Sequence, residues 1–203
     1  MKRALLVLQA ILACVASTAL GQATEKPSDA KESPYHEAQT GLVFPQEVGK
    51  LKLGETHVFA ETRLGVGIRY KLPDAAPLDV FVYNNGIQTI SSDPNSETLT
   101  AELQNTLQSV QKSFAGFTID ERSIVALAQE AEPPQAHRVI FSLGTEDKRV
   151  KTAVYLLGYK NHFIKLRATW IAMPPDDALQ EFDDFAKWLG SAIVSSAVVG
   201  KSE

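Results

Sequence analysis

The chain has 203 residues, 44% of them hydrophobic and 22% charged, with a formal net charge of −4. That balance suits one globular domain, and its mild acidity excludes the basic footprint of a nucleic-acid binder. Cys14 is the only cysteine, so everything after it lacks disulfides, a thiol nucleophile and cysteine-ligated metals.

Residues 1–23, MKRALLVLQAILACVASTALGQA, read as a secretory signal peptide. Lys2 and Arg3 supply the positive start, Ala4 to Ala13 is apolar except for Gln9, and small residues follow. Losing the leader moves the formal charge to −6, because Lys2 and Arg3 leave with it. Two endings compete. Ala19 and Gly21 suit release before Gln22, and Gly21 and Ala23 suit release before Thr24. The alternative is lipidation at Cys14 after Ile11-Leu12-Ala13, which alone would bring the protein to a membrane. The apolar run is shorter than the about 20 residues a transmembrane helix needs. Residues 24–41 carry charges, prolines and small polar residues, and are expected to form a flexible tether.

The folded domain is expected over 42–199. Leu51 to Ala60 reads as a strand interrupted by Gly54. In Leu64 to Leu72, Leu64, Val66, Ile68, Tyr70 and Leu72 alternate with Gly65, Gly67, Arg69 and Lys71, the mark of a strand with one buried face. Leu78 to Tyr83 is apolar on both faces except for Asp79, and Asn84-Asn85-Gly86 supplies a turn. Leu99, Leu103, Leu107, Val110 and Phe114 make one stripe of a helix from Pro94 to Ala115, with Asp93 as the expected N-cap and Gly116 as the stop. Strands are expected at Ser123–Ala131, Ala136–Gly144, Val150–Tyr159 and His162–Ala172, with a tight hairpin at Lys160-Asn161. A closing helix spans Asp176 to Val198, its stripe being Leu179, Phe182, Phe185, Ala186, Leu189 and Ile193. Strands, helix, strands and helix in that order predict an α+β domain, a mainly antiparallel sheet packed with two helices.

No motif supplies a catalytic set, a metal site or a cofactor site. His36, His57, His137 and His162 never fall at i,i+2 or i,i+4, the spacings that aim two imidazoles at one metal ion from one element. Asp176, Asp177, Glu181, Asp183 and Asp184 read as a solvated, dipole-favouring helix face. Gly65-x-Gly67 lies in a strand and lacks the third glycine of a dinucleotide loop.

One pattern points to binding. Val80 and Val82 should share the buried face of Leu64–Leu72, turning Phe81 and Tyr83 to the other side with Gly65 and Gly67. Tyr155 and Tyr159 are expected to join them, with Arg69, Lys165 and Arg167 as the rim. Aromatic walls beside glycines would make a shallow groove for a peptide, a glycan or a partner surface. The competing reading is that a helix covers this face and the rings are core.

Phe44-Pro45-Gln46-Glu47-Val48-Gly49, Leu53-Gly54-Glu55, Leu64-Gly65-Val66-Gly67-Ile68-Arg69-Tyr70 and Val80-Phe81-Val82-Tyr83 carry a resemblance. Residues 44 to 83 resemble a group of small exported bacterial proteins of unknown function, with an FP-x-x-(I/V)-G opening. The order of elements also looks like the PsbP-like superfamily, whose members are mostly non-catalytic binding or assembly proteins. The resemblance implies no functional residues. The expected function is therefore a non-enzymatic, exported binding or assembly module of the bacterial cell envelope, with an envelope protein, peptide or glycan as partner. Two alternatives stay open. One is an envelope hydrolase with a site assembled around His57 or His137, and the other is a structural lipoprotein anchored at Cys14.

Overall fold

The computed structural model describes residues 33–72, 77–145, 149–171 and 175–199. The leader, Cys14 and residues 24–32 of the expected tether lie outside the described residues. Strand pairing begins inside the remainder of that stretch. Strand β1 (Tyr35–His36) pairs antiparallel with β2 (Val43–Phe44). The turn between them is held by Glu37, a buried carboxylate that accepts hydrogen bonds from the Gln39 and Thr40 amides and the Thr40 hydroxyl. Residues 35–41 are thus part of the fold, and the tether read over 24–41 is corrected there. A polar composition can order when its side chains satisfy the backbone locally.

Eight strands form one antiparallel sheet in the order β3-β4-β5-β6-β10-β9-β8-β7. They are β3 (Glu47–Val48), β4 (Leu51–Val58), β5 (Val66–Lys71), β6 (Leu78–Tyr83), β7 (Thr118–Ala126), β8 (Gln135–Leu143), β9 (Val150–Tyr159) and β10 (His162–Ile171). Helix α1 (Glu97–Ser113) follows β6, and α2 (Pro175–Val199) closes the described chain. The α+β class, with its two helices and antiparallel sheet, is as the sequence predicts. The hairpin between β9 and β10 turns on Lys160 and Asn161, both at positive φ, which matches the twist of the strands it joins.

The helices lie on opposite faces of the sheet. Alternation on β5 and β6 sends Val66, Ile68, Tyr70, Val80 and Val82 to one face, where Phe182, Phe185, Ala186 and Leu189 of α2 pack. Trp188 stacks near Phe185 and Phe44, and the Tyr70 ring meets Phe185 at 4.8 Å between centroids. The other face carries Tyr83, Val139, Phe141, Val154, Leu156 and Phe163, covered by Leu99, Leu103 and Leu107 of α1. Burying both faces explains why β6 and β9 are apolar without alternation.

Two expected boundaries move. Ser96, not Asp93, caps α1, its side chain accepting from the Leu99 amide. Asp93 instead accepts from the Asn95 amide at 2.9 Å, making an Asx turn one step earlier. Strand β7 begins at Thr118, five residues before the expected Ser123, and ends at Ala126. As an edge strand it is mostly exposed and polar, with a register shift between Ile119 and Glu121, so it lacks the apolar alternation of its neighbours.

Candidate functional site

On the face that α1 covers, Tyr83 is buried, whereas Phe81 is partly buried and packs at the margin of the same cluster. Tyr83 is core. Its ring lies 5.4 Å from that of Phe163, and its hydroxyl donates a 2.5 Å hydrogen bond to Glu102 of α1. Burial, and then the Glu102 charge, push its phenol well above the ordinary tyrosine range. Grouping Tyr83 with an open groove is therefore corrected, because a helix covers it.

Phe81, two residues back on the same face, is half-buried, whereas every other residue of β6 is buried. Gly67 on β5 stands directly opposite it. A Cβ on Gly67 would sit 3.5 Å from the Phe81 ring and 3.9 Å from that of Phe59. Phe59 in turn meets the exposed His57 edge-on at 4.7 Å, and His57 pairs with Gly67 across β4 and β5. Phe81, Phe59 and His57 thus gather around Gly67. Phe59 and His57 were not foreseen at this site. Their signal is slight, because β4 is interrupted by a register shift between Leu53 and Thr56 and Phe59 lies just past its end.

The other expected members divide. Gly65 offers no room. It takes φ +65°, and a Cβ there would fall 1.8 Å from the Val82 carbonyl oxygen. Tyr155 pairs with Leu166, which pairs with Val80, so Tyr155 and Tyr159 lie on the α2 face, opposite Phe81. Their expected place in the groove is corrected. Because β9 is buried on both faces, its parity is set by pairing and cannot be read from hydrophobicity. Tyr155 donates its hydroxyl hydrogen to Asp183 of α2 while accepting from Arg138 at 3.2 Å. Arg138 also reaches both carboxylate oxygens of Asp183, and donates to Glu121 at 2.6 Å. Burial and the Asp183 partner push the Tyr155 phenol up.

Beside these rings runs an ionic row. Arg69, Asp79 and Arg167 face one another across β5, β6 and β10. Arg69 donates to one Asp79 oxygen at 2.7 Å, and Arg167 to the other at 3.2 Å. Lys165 and Arg167, expected at the rim, are buried. The Lys165 ammonium lies 4.9 Å from the Tyr83 ring centroid, 5.6 Å from that of Phe81 and 3.9 Å from Glu102. Burial lowers its pKa to about 8, with Glu102 opposing and Arg167 reinforcing the shift. Cations held against ring faces in a dry site gain from the quadrupole of the ring.

The histidines are spread over the molecule. The buried His137 ring bonds the Pro94 carbonyl at 2.6 Å, and the exposed His162 bonds the Lys160 carbonyl at 2.8 Å. Among the described residues no histidine is ion-paired with a carboxylate, and no group of three His, Cys, Asp or Glu could hold a metal ion. The acids of α2 bond to basic neighbours: Glu181 to Lys50, Asp183 to Arg138 and Asp184 to Lys187. Among the described residues no helix is long and apolar enough to cross a membrane.

No family model matches the chain, and no curated protein matches it. Among solved structures, the chain is similar to the crystal structure of PA94, a protein of unknown function from Pseudomonas aeruginosa. The two are 8% identical, the match covers 69% of this chain and 83% of that one, and the TM-score is 0.35. A similarity that slight carries no argument about fold or function.

Proposed function

We propose that this protein is a non-enzymatic binding or assembly module exported to the bacterial cell envelope. It takes a partner at Phe81, on the margin of the cluster that α1 covers. The observation that carries this reading is Phe81, the single half-exposed position of an otherwise buried strand, set over Gly67 with Phe59 and His57 beside it. Large, partly exposed rings are frequent anchors of recognition. The leader-like residues 1–23 and the resemblance over 44–83 support export and a non-catalytic role.

The test places a photo-crosslinking residue at His57 in the full chain, in its native cells, and identifies the adducts by mass spectrometry. The expected result is one recurrent envelope partner, lost in Phe81→Ser while the melting temperature stays near that of the parent. Adducts unchanged by Phe81→Ser would overturn this site. The same spectra read the N-terminus, which at Gln22 or Thr24 means free release and at a lipidated Cys14 means a membrane anchor.

A further inference from the structure

The turn Asn84-Asn85-Gly86, which leads out of β6, has no part in the binding reading. We propose that Asn85 is a site of spontaneous chemical modification, its carboxamide closing on the Gly86 nitrogen. The product loosens the contact of α1 with β6 through Glu102.

The chain has five asparagines, and Asn85 alone precedes a glycine. Asn84, Asn95, Asn105 and Asn161 are followed by Asn, Ser, Thr and His, whose side chains crowd the next backbone nitrogen. Asn85 and Gly86 are exposed, with φ +53° and +81°, and the Ile87 amide donates to the Asn84 carbonyl at 2.9 Å. Two left-handed central residues make a type I′ turn, which favours Asn-Gly. While the turn is closed, the Gly86 N–H donates to the Asn84 side chain at 2.9 Å, and the Asn85 carboxamide donates to Glu102 at 3.4 Å. The reaction therefore waits on opening of the turn. These bonds lie in an exposed connection outside the sheet ladder, where local opening costs far less than global unfolding.

In the open turn the Gly86 nitrogen gives its proton to solvent and attacks Cγ of Asn85. The N–Cγ bond forms, the Cγ–Nδ2 bond breaks, ammonia leaves, and a succinimide ring remains. Water opens that ring at either carbonyl, giving aspartate or isoaspartate with no change of oxidation state.

The consequence runs through Glu102, whose side chain is only 11% exposed. One of its oxygens accepts from the Tyr83 hydroxyl and lies 3.9 Å from the Lys165 ammonium, and the other accepts from Asn85. Conversion replaces that donor with a second carboxylate, so an attraction on Glu102 becomes a repulsion of like charges. Isoaspartate also lengthens the backbone by one methylene and removes the geometry of the turn.

The experiment ages the full chain at pH 8.5 and 37 °C and maps its peptides by mass spectrometry with separation of isoaspartate. Urea unfolding is measured at each time point. The expected result is conversion at Asn85 several-fold faster than at Asn84, Asn95, Asn105 or Asn161, with a urea midpoint that falls as conversion proceeds. Asn85→Gly, which suits the turn and cannot cyclise, should hold its midpoint over the same period. Asn85→Asp should start below the parent. Conversion at Asn85 no faster than at the other asparagines would overturn the site. An equal drift in the parent and Asn85→Gly, or an Asn85→Asp protein as stable as the parent, would overturn the route through Glu102.

Discussion

Phe81 and Gly67 stand opposite each other on adjacent strands, and the ring lies 3.5 Å from where a glycine Cβ would point. That distance is an ordinary contact, and Gly67 has no positive φ. Gly67→Ala should therefore fold with unchanged or slightly higher stability, since a strand glycine carries an entropic cost of roughly 0.5–1 kcal/mol. Gly67→Leu should also fold but crowd Phe81 and Phe59, reducing partner capture. Gly65 provides the contrast. Gly65→Ala places a methyl against the Val82 carbonyl in a left-handed conformation, and should cost about 2–4 kcal/mol in chemical denaturation. Equal losses in Gly65→Ala and Gly67→Ala would contradict the geometry.

Tyr83 and Phe81 share a face but not a role. Tyr83→Ser removes a ring that packs on Phe163 and a hydroxyl bonded to Glu102, and should destabilise the domain by about 3–5 kcal/mol. Phe81→Ser removes a half-buried ring and should cost about 1–2 kcal/mol. Urea denaturation of the two variants separates them. A loss at Phe81 as large as that at Tyr83 would make Phe81 core and remove the proposed anchor.

The difference between these two rings marks what the chain reveals before folding. Strict alternation in Val66 to Tyr70, and the stripe Leu99, Leu103 and Leu107, each name their buried side, so β5 and α1 were legible. The strands buried on both faces carry no such signal. In β9 the apolar run leaves the orientation of Tyr155 open, and only its pairing with Leu166 settles it. Which part of the Phe81 face would lie under α1 was equally hidden, because it depends on where the helix crosses the sheet. Phe59 and His57 reach the site through a shifted edge strand, and Asp79 through charges contributed by two neighbouring strands.

On the opposite face, Asp183 fastens α2 to the sheet by accepting from Arg138 and Tyr155. Asp183→Ala leaves a mostly buried guanidinium with Glu121 as its remaining carboxylate and Tyr155 without its acceptor. The expected loss is about 2–4 kcal/mol. Asp183→Asn, which keeps an acceptor oxygen, should lose less. Hydrogen exchange should show the loosening concentrated in α2, and uniform acceleration across the sheet would argue against this fastening role.

The burial of Lys165 predicts how stability responds to alkali. Its folded pKa is about 8, below its ordinary value of 10.5, chiefly because of desolvation. Between those values the unfolded chain binds more protons at this lysine than the native one does. Stability contributed by this group therefore rises as pH climbs from about 8 to about 10.5. Full release of the shift would amount to about 3 kcal/mol. Tyr83 and Tyr155 act in the opposite sense, because their raised phenol pKa values make the native state hold protons that the unfolded chain loses above about pH 10. Comparison with Lys165→Met isolates the lysine, since the tyrosine contributions are common to both proteins to first order. Urea unfolding at pH 7, 8, 9 and 9.5 should show the parent gaining stability relative to Lys165→Met as pH rises. A difference between the two that stays flat over this range would mean that the ammonium is solvated rather than held between Phe81, Tyr83 and Glu102.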